Sequence, residues 1–169
     1  NTNTVYIVSG NLIGCVVTAT NTSNVTVNTT PTVSVNSGVI CNGQTFTITP
    51  SGANTYTIQG GTTSVNPTSN TSYSVMGESV QGCVSANIAT SSVTVNPLPT
   101  LLVVSDNTLL CVGQIANLTA SGAISYTWNT AATSSVIAVS PTVITTYTVH
   151  GDDVNGCSNS TVFTQNVST

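Results

Sequence analysis

Residues 41–58 read CNGQTFTITPSGANTYTI, and residues 111–128 read CVGQIANLTASGAISYTW. The two stretches align without a gap. Cysteine, Gly-Gln, Ser-Gly-Ala and Tyr-Thr fall at the same places in each. Alternation is clear where Phe46 and Ile48 flank Thr47, and where Ala116 and Leu118 flank Asn117. A period of two places every second side chain on one face of a strand. Ser-Gly between two such runs is a turn signal. The stretch therefore reads as two strands joined by a turn, used twice.

The correspondence extends outward from this stretch. Pro31-Thr32, Pro67-Thr68, Tyr73 and Gly82-Cys83 return as Pro99-Thr100, Pro141-Thr142, Tyr147 and Gly156-Cys157. Tyr6 to Gly14-Cys15 is the back half of the same unit. A self-similar period has to be found before any residue is interpreted singly. Here it is about 70 residues, the size of a small β-sandwich. The chain of 169 residues divides into a half repeat over 1–30 and complete repeats over 31–97 and 98–169. Asn96-Pro97-Leu98-Pro99 and Asn28-Thr29-Thr30-Pro31 mark the boundaries, because proline cannot sit in a central strand. Both linkers are short, so the expected arrangement is a stiff rod of all-β modules.

Composition removes several functions. Lysine and arginine are absent, and only Glu78, Asp106, Asp152 and Asp153 are acidic, for a net charge of −4. Phosphate backbones and anionic membrane surfaces both need cationic partners, which argues against nucleic acid and lipid headgroups. No apolar run reaches the ~20 residues that span a bilayer. Lysine–asparagine isopeptide crosslinks are impossible without lysine. No signal peptide is visible, yet paired cysteines suit an oxidising compartment. The expectation is a piece of a longer secreted protein.

The run from Cys111 through Ser121-Gly122-Ala123, Tyr126-Thr127-Trp128, Ser140-Pro141-Thr142 and Thr145-Thr146-Tyr147-Thr148-Val149 to Asn155-Gly156-Cys157 carries a family resemblance. It resembles the PKD-like/Ig-like repeats of very large secreted proteins of Bacteroidota. The 31–97 repeat departs from the pattern at Ile58, which replaces the tryptophan, and at Val65-Asn66-Pro67. The resemblance implies tandem antiparallel β-sandwich modules. It also implies an extracellular or cell-surface setting, as in adhesins, gliding-associated proteins and type IX secretion cargo.

Five cysteines, Cys15, Cys41, Cys83, Cys111 and Cys157, show no CxxC spacing, which argues against zinc and thioredoxin chemistry. The expected pairing is within each repeat, Cys41–Cys83 and Cys111–Cys157. Counting four strand-like segments between them (44–50, 55–59, 62–66 and 71–77 in the first) returns the chain to the same end. A fifth, poorly marked crossing would instead put the two cysteines at opposite ends, too far apart to bond. Stacked modules would then pair across their junction, Cys41 with Cys157. Cys15 has the register of Cys83 and Cys157, so its partner is expected outside the visible chain.

Catalytic chemistry is hard to build here. His150 stands beside Gly151-Asp152-Asp153 and reads as a surface loop, and no nucleophile motif occurs. Asp152, Asp153 and Asn155 form a weak calcium candidate. The equivalent turns of the other repeats lack the carboxylate pair. Seven N-x-S/T sequons, at Asn21, Asn24, Asn28, Asn70, Asn117, Asn159 and Asn166, leave glycans as a possible partner, although this much Asn, Ser and Thr generates sequons by chance. No cofactor or catalytic residue is expected. The expected function is a structural, non-catalytic repeat segment of an extracellular filament or giant adhesin, in contact with copies of itself or adjacent repeats. The alternative is a module that binds carbohydrate or another surface ligand. Residues 1–30 should expose an apolar face unless another part of a fibre covers it.

Overall fold

The computed structural model describes residues 2–13 and 15–168, with the backbone alone for residues 11, 12 and 15–20. Every regular element among them is a strand. Among the described residues no helix is long and apolar enough to cross a membrane. Thr, Val, Ile and Tyr dominate the strands, as expected for residues that suit a pleated, half-buried surface.

Strands β1 (Thr4–Leu12) and β2 (Cys15–Val25) form an antiparallel hairpin, with Thr4 opposite Val25 and Gly10 opposite Ala19. The next repeat contains β3 (Gly38–Cys41), β4 (Phe46–Thr47), β5 (Thr55–Ile58), β6 (Ser64–Val65), β7 (Thr71–Glu78) and β8 (Ala89–Asn96). One sheet runs β3-β8-β7-β5, and β4 pairs with β6. The last repeat contains β9 (Leu102–Ser105), β10 (Leu109–Cys111), β11 (Ala116–Ser121), β12 (Ser125–Trp128), β13 (Val136–Val139), β14 (Thr145–Asp152) and β15 (Ser158–Ser168). Its sheets run β10-β15-β14-β12 and β13-β11-β9. The four-stranded sheets have the same order in both repeats. In each, the first strand lies parallel to the last: Gly38–Cys41 against Val93–Asn96, and Leu109–Cys111 against Asn166–Ser168.

Contacts gather the chain into two compact units. One comprises Asn1–Ser37, Thr47–Val65 and Ser72–Ser92. The other comprises Gly38–Phe46, Asn66–Thr71 and Val93–Thr169. The second unit therefore takes the Cys41 end of the 31–97 repeat together with all of the following one.

The core of the last repeat lies between its two sheets. Leu110, Ala116, Leu118, Trp128, Ile137, Val139, Tyr147 and Val149 meet there, and Tyr126 and Phe163 pack at its margin. Trp128 is 2% exposed, and its indole N–H donates to the Ser134 carbonyl at 2.9 Å. Buried Gln165 ties down the point where the chain passes from β9 to β10. It accepts from Ser105 Oγ at 3.0 Å and donates to the Asn107 carbonyl at 2.9 Å.

The Ser-Gly-Ala turns have a steric origin. Gly52 and Gly122 both have φ of +97°, and a Cβ on either would stand 2.0 Å from a backbone oxygen, that of Thr32 or Thr100. Only glycine fits. The next residue is clamped by the tyrosine that follows the turn. Tyr126 donates its hydroxyl to the Ala123 carbonyl at 2.8 Å and accepts the Ala123 N–H at 3.0 Å. Tyr56 does the same for Ala53, at 2.9 and 3.0 Å.

Gly122→Ala should therefore cost more than about 2 kcal/mol, combining a backbone collision with the positive φ. Gly113→Ala shares the positive φ, but a Cβ there meets nothing within 4 Å. It should cost only about 1 kcal/mol. Denaturant unfolding of the two variants checks the difference, and equal losses would contradict this account of the turn.

Candidate functional site

Covalent chemistry lies in the cysteines, and the strand directions decide where Cys41, Cys83, Cys111 and Cys157 sit. Cys111 closes β10 opposite Ser168, the last residue of β15. Cys157 immediately precedes Ser158, the first residue of β15. At ~3.3 Å per residue the two stand roughly 35 Å apart, far beyond the reach of a disulfide. Cys41 likewise lies opposite Asn96, at the end of β8, whereas Cys83 precedes that strand.

The within-repeat pairs Cys41–Cys83 and Cys111–Cys157 are accordingly not formed. Cys83 and Cys111 carry free thiols. The crossing count is the reason. β12 and β15 both run antiparallel to β14, so they share a direction. β9 and β13 both run antiparallel to β11. The segment from Pro99 to Asn107 follows β15, because the Pro99 carbonyl accepts from Asn159 and the Asn107 carbonyl from Gln165. β12 and β13 thus point the same way. Between them the chain changes sheets through a tight turn, in which Ala131 N–H donates to the Trp128 carbonyl at 2.8 Å. Two strand-like segments in the sequence are one crossing of the sandwich. Three crossings, an odd number, leave the cysteines at opposite ends.

Cys41 is bonded to Cys157 instead, with a Cα–Cα distance of 5.6 Å and a sequence separation of 116. Both residues are buried, Cys157 completely. The bond straddles the linker Asn96-Pro97-Leu98-Pro99 and fastens the end of one repeat to the start of the next. In the chain-entropy model a loop of this length contributes about 5 kcal/mol.

Two small turns present the sulfur atoms. Gln44 Oε1 accepts the Cys41 N–H at 2.9 Å, and the Gln44 N–H donates to the Cys41 carbonyl at 2.9 Å. At the other partner, Asp153 Oδ1 accepts the N–H groups of Asn155 and Cys157, both at 2.8 Å. The Asp153 N–H donates to the Cys157 carbonyl at 3.0 Å. Gln44 and Asp153 thus position the two cysteines, a role that neither the repeat signature nor the calcium candidate assigned to them. The glutamine was visible as the fourth residue of the repeated Cys-x-Gly-Gln. The aspartate was hidden, because serine fills its place at Ser79.

The calcium candidate separates into different roles. Asp152 accepts from Ser125 Oγ at 2.9 Å and from Ser158 Oγ at 2.5 Å. Asp153 and Asn155 belong to the cysteine turn. No group of three or more metal-ligating residues occurs among the described residues. His150 is exposed on β14, opposite Ser160 and Thr127. The amide nitrogens of Asn117 and Asn159, two of the sequons, donate to Asp106 at 2.7 Å and to the Pro99 carbonyl at 2.9 Å. The side chain of Cys15 and the whole of Gly14 lie outside what the structure describes.

Three carboxyls sit below their ordinary range. The Cys157 N–H lowers Asp153 most, against an opposing push from burial, with help from Asn155. Ser158 and then Ser125 lower Asp152, and the Asn117 backbone and side chain lower Asp106. A carboxyl lowered by folding adds stability above its unfolded value and loses it as pH falls through the folded one. That window opens below about pH 4. The thermal midpoint should therefore stay level from about pH 8 to about pH 5 and fall below about pH 4. Asp153→Asn should flatten part of that fall. Reduction with dithiothreitol should lower the unfolding free energy by about 5 kcal/mol, and Cys157→Ser should match it. Denaturant titrations with and without reductant check both values.

No family model and no curated protein matches the chain. Among solved structures, the chain is similar to a Ca2+-stabilised adhesin with which an Antarctic bacterium reaches out and binds ice. Identity there is 15% and the TM-score 0.45, over 100% of this chain and 57% of that one. It is also similar to the amphioxus IgVJ-C2 molecule, at 14% identity and a TM-score of 0.34, over 76% of this chain and 99% of that one. The adhesin InvE of Yersinia pseudotuberculosis shows 16% identity and a TM-score of 0.28, over 81% of this chain and 59% of that one. The chain spans little more than half of the first adhesin's length.

Proposed function

We propose that the chain is a structural, non-catalytic segment of an extracellular bacterial filament or giant surface adhesin, built from tandem Ig/PKD-like modules over 1–30, 31–97 and 98–169. The observation that carries this reading is the Cys41–Cys157 bond. A disulfide inside a module stabilises that module alone. One that straddles the linker restrains bending between modules, and such restraint has value in a load-bearing rod. The oxidising setting that such a bond needs supports a cell-surface or secreted location.

The first hairpin supports the same reading. Tyr6 and Val8 occupy the register of Tyr147 and Val149, which are 7% and 0% exposed in the complete repeat. In the hairpin they are 56% and 67% exposed. An isolated two-stranded hairpin is marginal in water. Core residues without a core call for the other half of a sandwich, supplied by an adjacent repeat or a neighbouring copy. The repeated Cys-x-Gly-Gln, Ser-Gly-Ala and Gly-Cys signatures are the ground for placing the modules with those of Bacteroidota surface proteins.

Carbohydrate recognition is the competing function and would call for exposed aromatic rings. Trp128 is buried, Tyr56 and Tyr126 hold their own turns, and exposed Tyr6 stands at a position whose counterpart, Tyr147, is buried in the complete repeat. Trp128 fluorescence should stay unchanged across a panel of glycans, and a saturable shift with any of them would favour the binding module. Negative-stain microscopy of native material should show regular thin filaments or long rods. Scattered compact particles would overturn the structural reading.

A further inference from the structure

Each complete repeat carries one cysteine in a Cys-x-Gly-Gln loop and one in a Gly-Cys turn. The bond at the junction joins the loop cysteine of one repeat to the turn cysteine of the next. Cys111 and Cys83 are the loop and turn cysteines left over by that bond. We propose that they are half-sites of the same junction, completed by further repeats of the same kind. Cys111 takes the turn cysteine of a following repeat, and Cys83 takes the loop cysteine of a preceding one. This rests on the tandem-repeat reading above and extends it to a bond at every junction.

Shape is the argument, because each free cysteine is held as its bonded counterpart is held. Gln114 Oε1 accepts the Cys111 N–H at 2.8 Å, and the Gln114 N–H donates to the Cys111 carbonyl at 3.0 Å. The same two bonds around Cys41 measure 2.9 Å each. Both loop cysteines end a strand parallel to the last strand of their sheet, Cys41 beside Asn96 and Cys111 beside Ser168. In the turn of Cys83, Ser79 Oγ accepts the Cys83 N–H at 3.1 Å, and the Ser79 N–H donates to the Cys83 carbonyl at 2.9 Å. Asp153 makes the matching pair with Cys157 at 2.8 and 3.0 Å. The glycines before the two turn cysteines have φ of 78° and 76°. A free thiol with no partner to meet has no need of such a mount. Two conformationally matched mounts, each of a kind that is bonded elsewhere in the chain, point to the same bond. Burial agrees. Cys41 and Cys157 are buried where the junction is complete, whereas Cys111 is exposed and Cys83 half-exposed.

The bond forms by exchange with an external low-molecular-weight disulfide of the glutathione class. One cysteine thiolate attacks that disulfide, forming a mixed disulfide and releasing one small thiol. The second thiolate attacks the protein sulfur of the mixed disulfide, which closes the junction and releases the second small thiol. Two electrons pass to the external disulfide, and the two cysteine protons end on the released thiols.

The full-length protein, isolated in the presence of an alkylating agent and mapped by peptide mass spectrometry, tests this. Cys83 and Cys111 should resist alkylation until reduced. The Cys83 peptide should be linked to a peptide with a Cys-x-Gly-Gln loop, and the Cys111 peptide to one with a Gly-Cys turn. Alkylation of either thiol without reduction would overturn the inference, as would a loop–loop, turn–turn or within-repeat link. Regular filaments that carry alkylated Cys83 or Cys111 would overturn it while leaving the structural function standing.

Discussion

The parallel pairing of the first and last strands of each four-stranded sheet governs the rest of the structure. β3 lies along the end of β8, and β10 along the end of β15. This pairing carries each loop cysteine to the far end of its sandwich, while each turn cysteine stays at the near end. A bond inside a repeat becomes impossible, and a bond between consecutive repeats becomes natural. The antiparallel hairpins that dominate the fold would have brought the two cysteines together. One parallel contact at the sheet edge reverses the outcome. It also covers the edge of the last strand, which would otherwise present unpaired backbone groups.

The absence of lysine and arginine explains why hydrogen bonds and covalent bonds carry so much here. Surface ion pairs are not available to tie loops down. Short polar side chains do that work by accepting backbone N–H groups: Gln44 and Gln114 at the loop cysteines, Ser79 and Asp153 at the turn cysteines, and Asn36 at Thr49. Backbone N–H groups near these residues would otherwise be only partly satisfied at the sheet ends. Among the described residues no buried side-chain polar atom lacks a partner. Ser79 and Asp153 perform one task with different chemistry, and only the carboxylate makes the turn sensitive to acid.

The two complete repeats differ where the core differs. The last repeat has a second sheet of three strands, with Trp128 filling the space between layers. The 31–97 repeat has Ile58 in the tryptophan's place and a second sheet reduced to β4 and β6. A smaller side chain removes a large share of the apolar area that holds the layers together. The junction bond helps most where the intrinsic core is thinner, and it is the thinner repeat whose loop cysteine it secures.

Much of this protein is legible in the sequence. The repeat, the strand alternation of Ala116-Leu118 and Tyr126-Trp128, and the Ser-Gly-Ala turns all follow from local preferences of the chain. Local sterics act within a few residues, so they leave a local mark: only glycine tolerates the approach of Thr100 to Gly122, and only tyrosine reaches back to Ala123. The choice of cysteine partners has no such mark. It depends on whether β12 and β13 count as one crossing or two, and a strand has the same alternation whichever way it runs. Direction is settled by packing across the sandwich, through contacts such as Gln165 with Asn107 and Asn159 with Pro99, which lie about 60 residues apart in sequence. Sequence alone determined that the chain repeats one strand-rich pattern with two cysteines in each complete copy. Tertiary structure alone decided that the bond joins two repeats rather than closing one, because bond formation requires a few ångströms of proximity and only the folded direction of each strand supplies it.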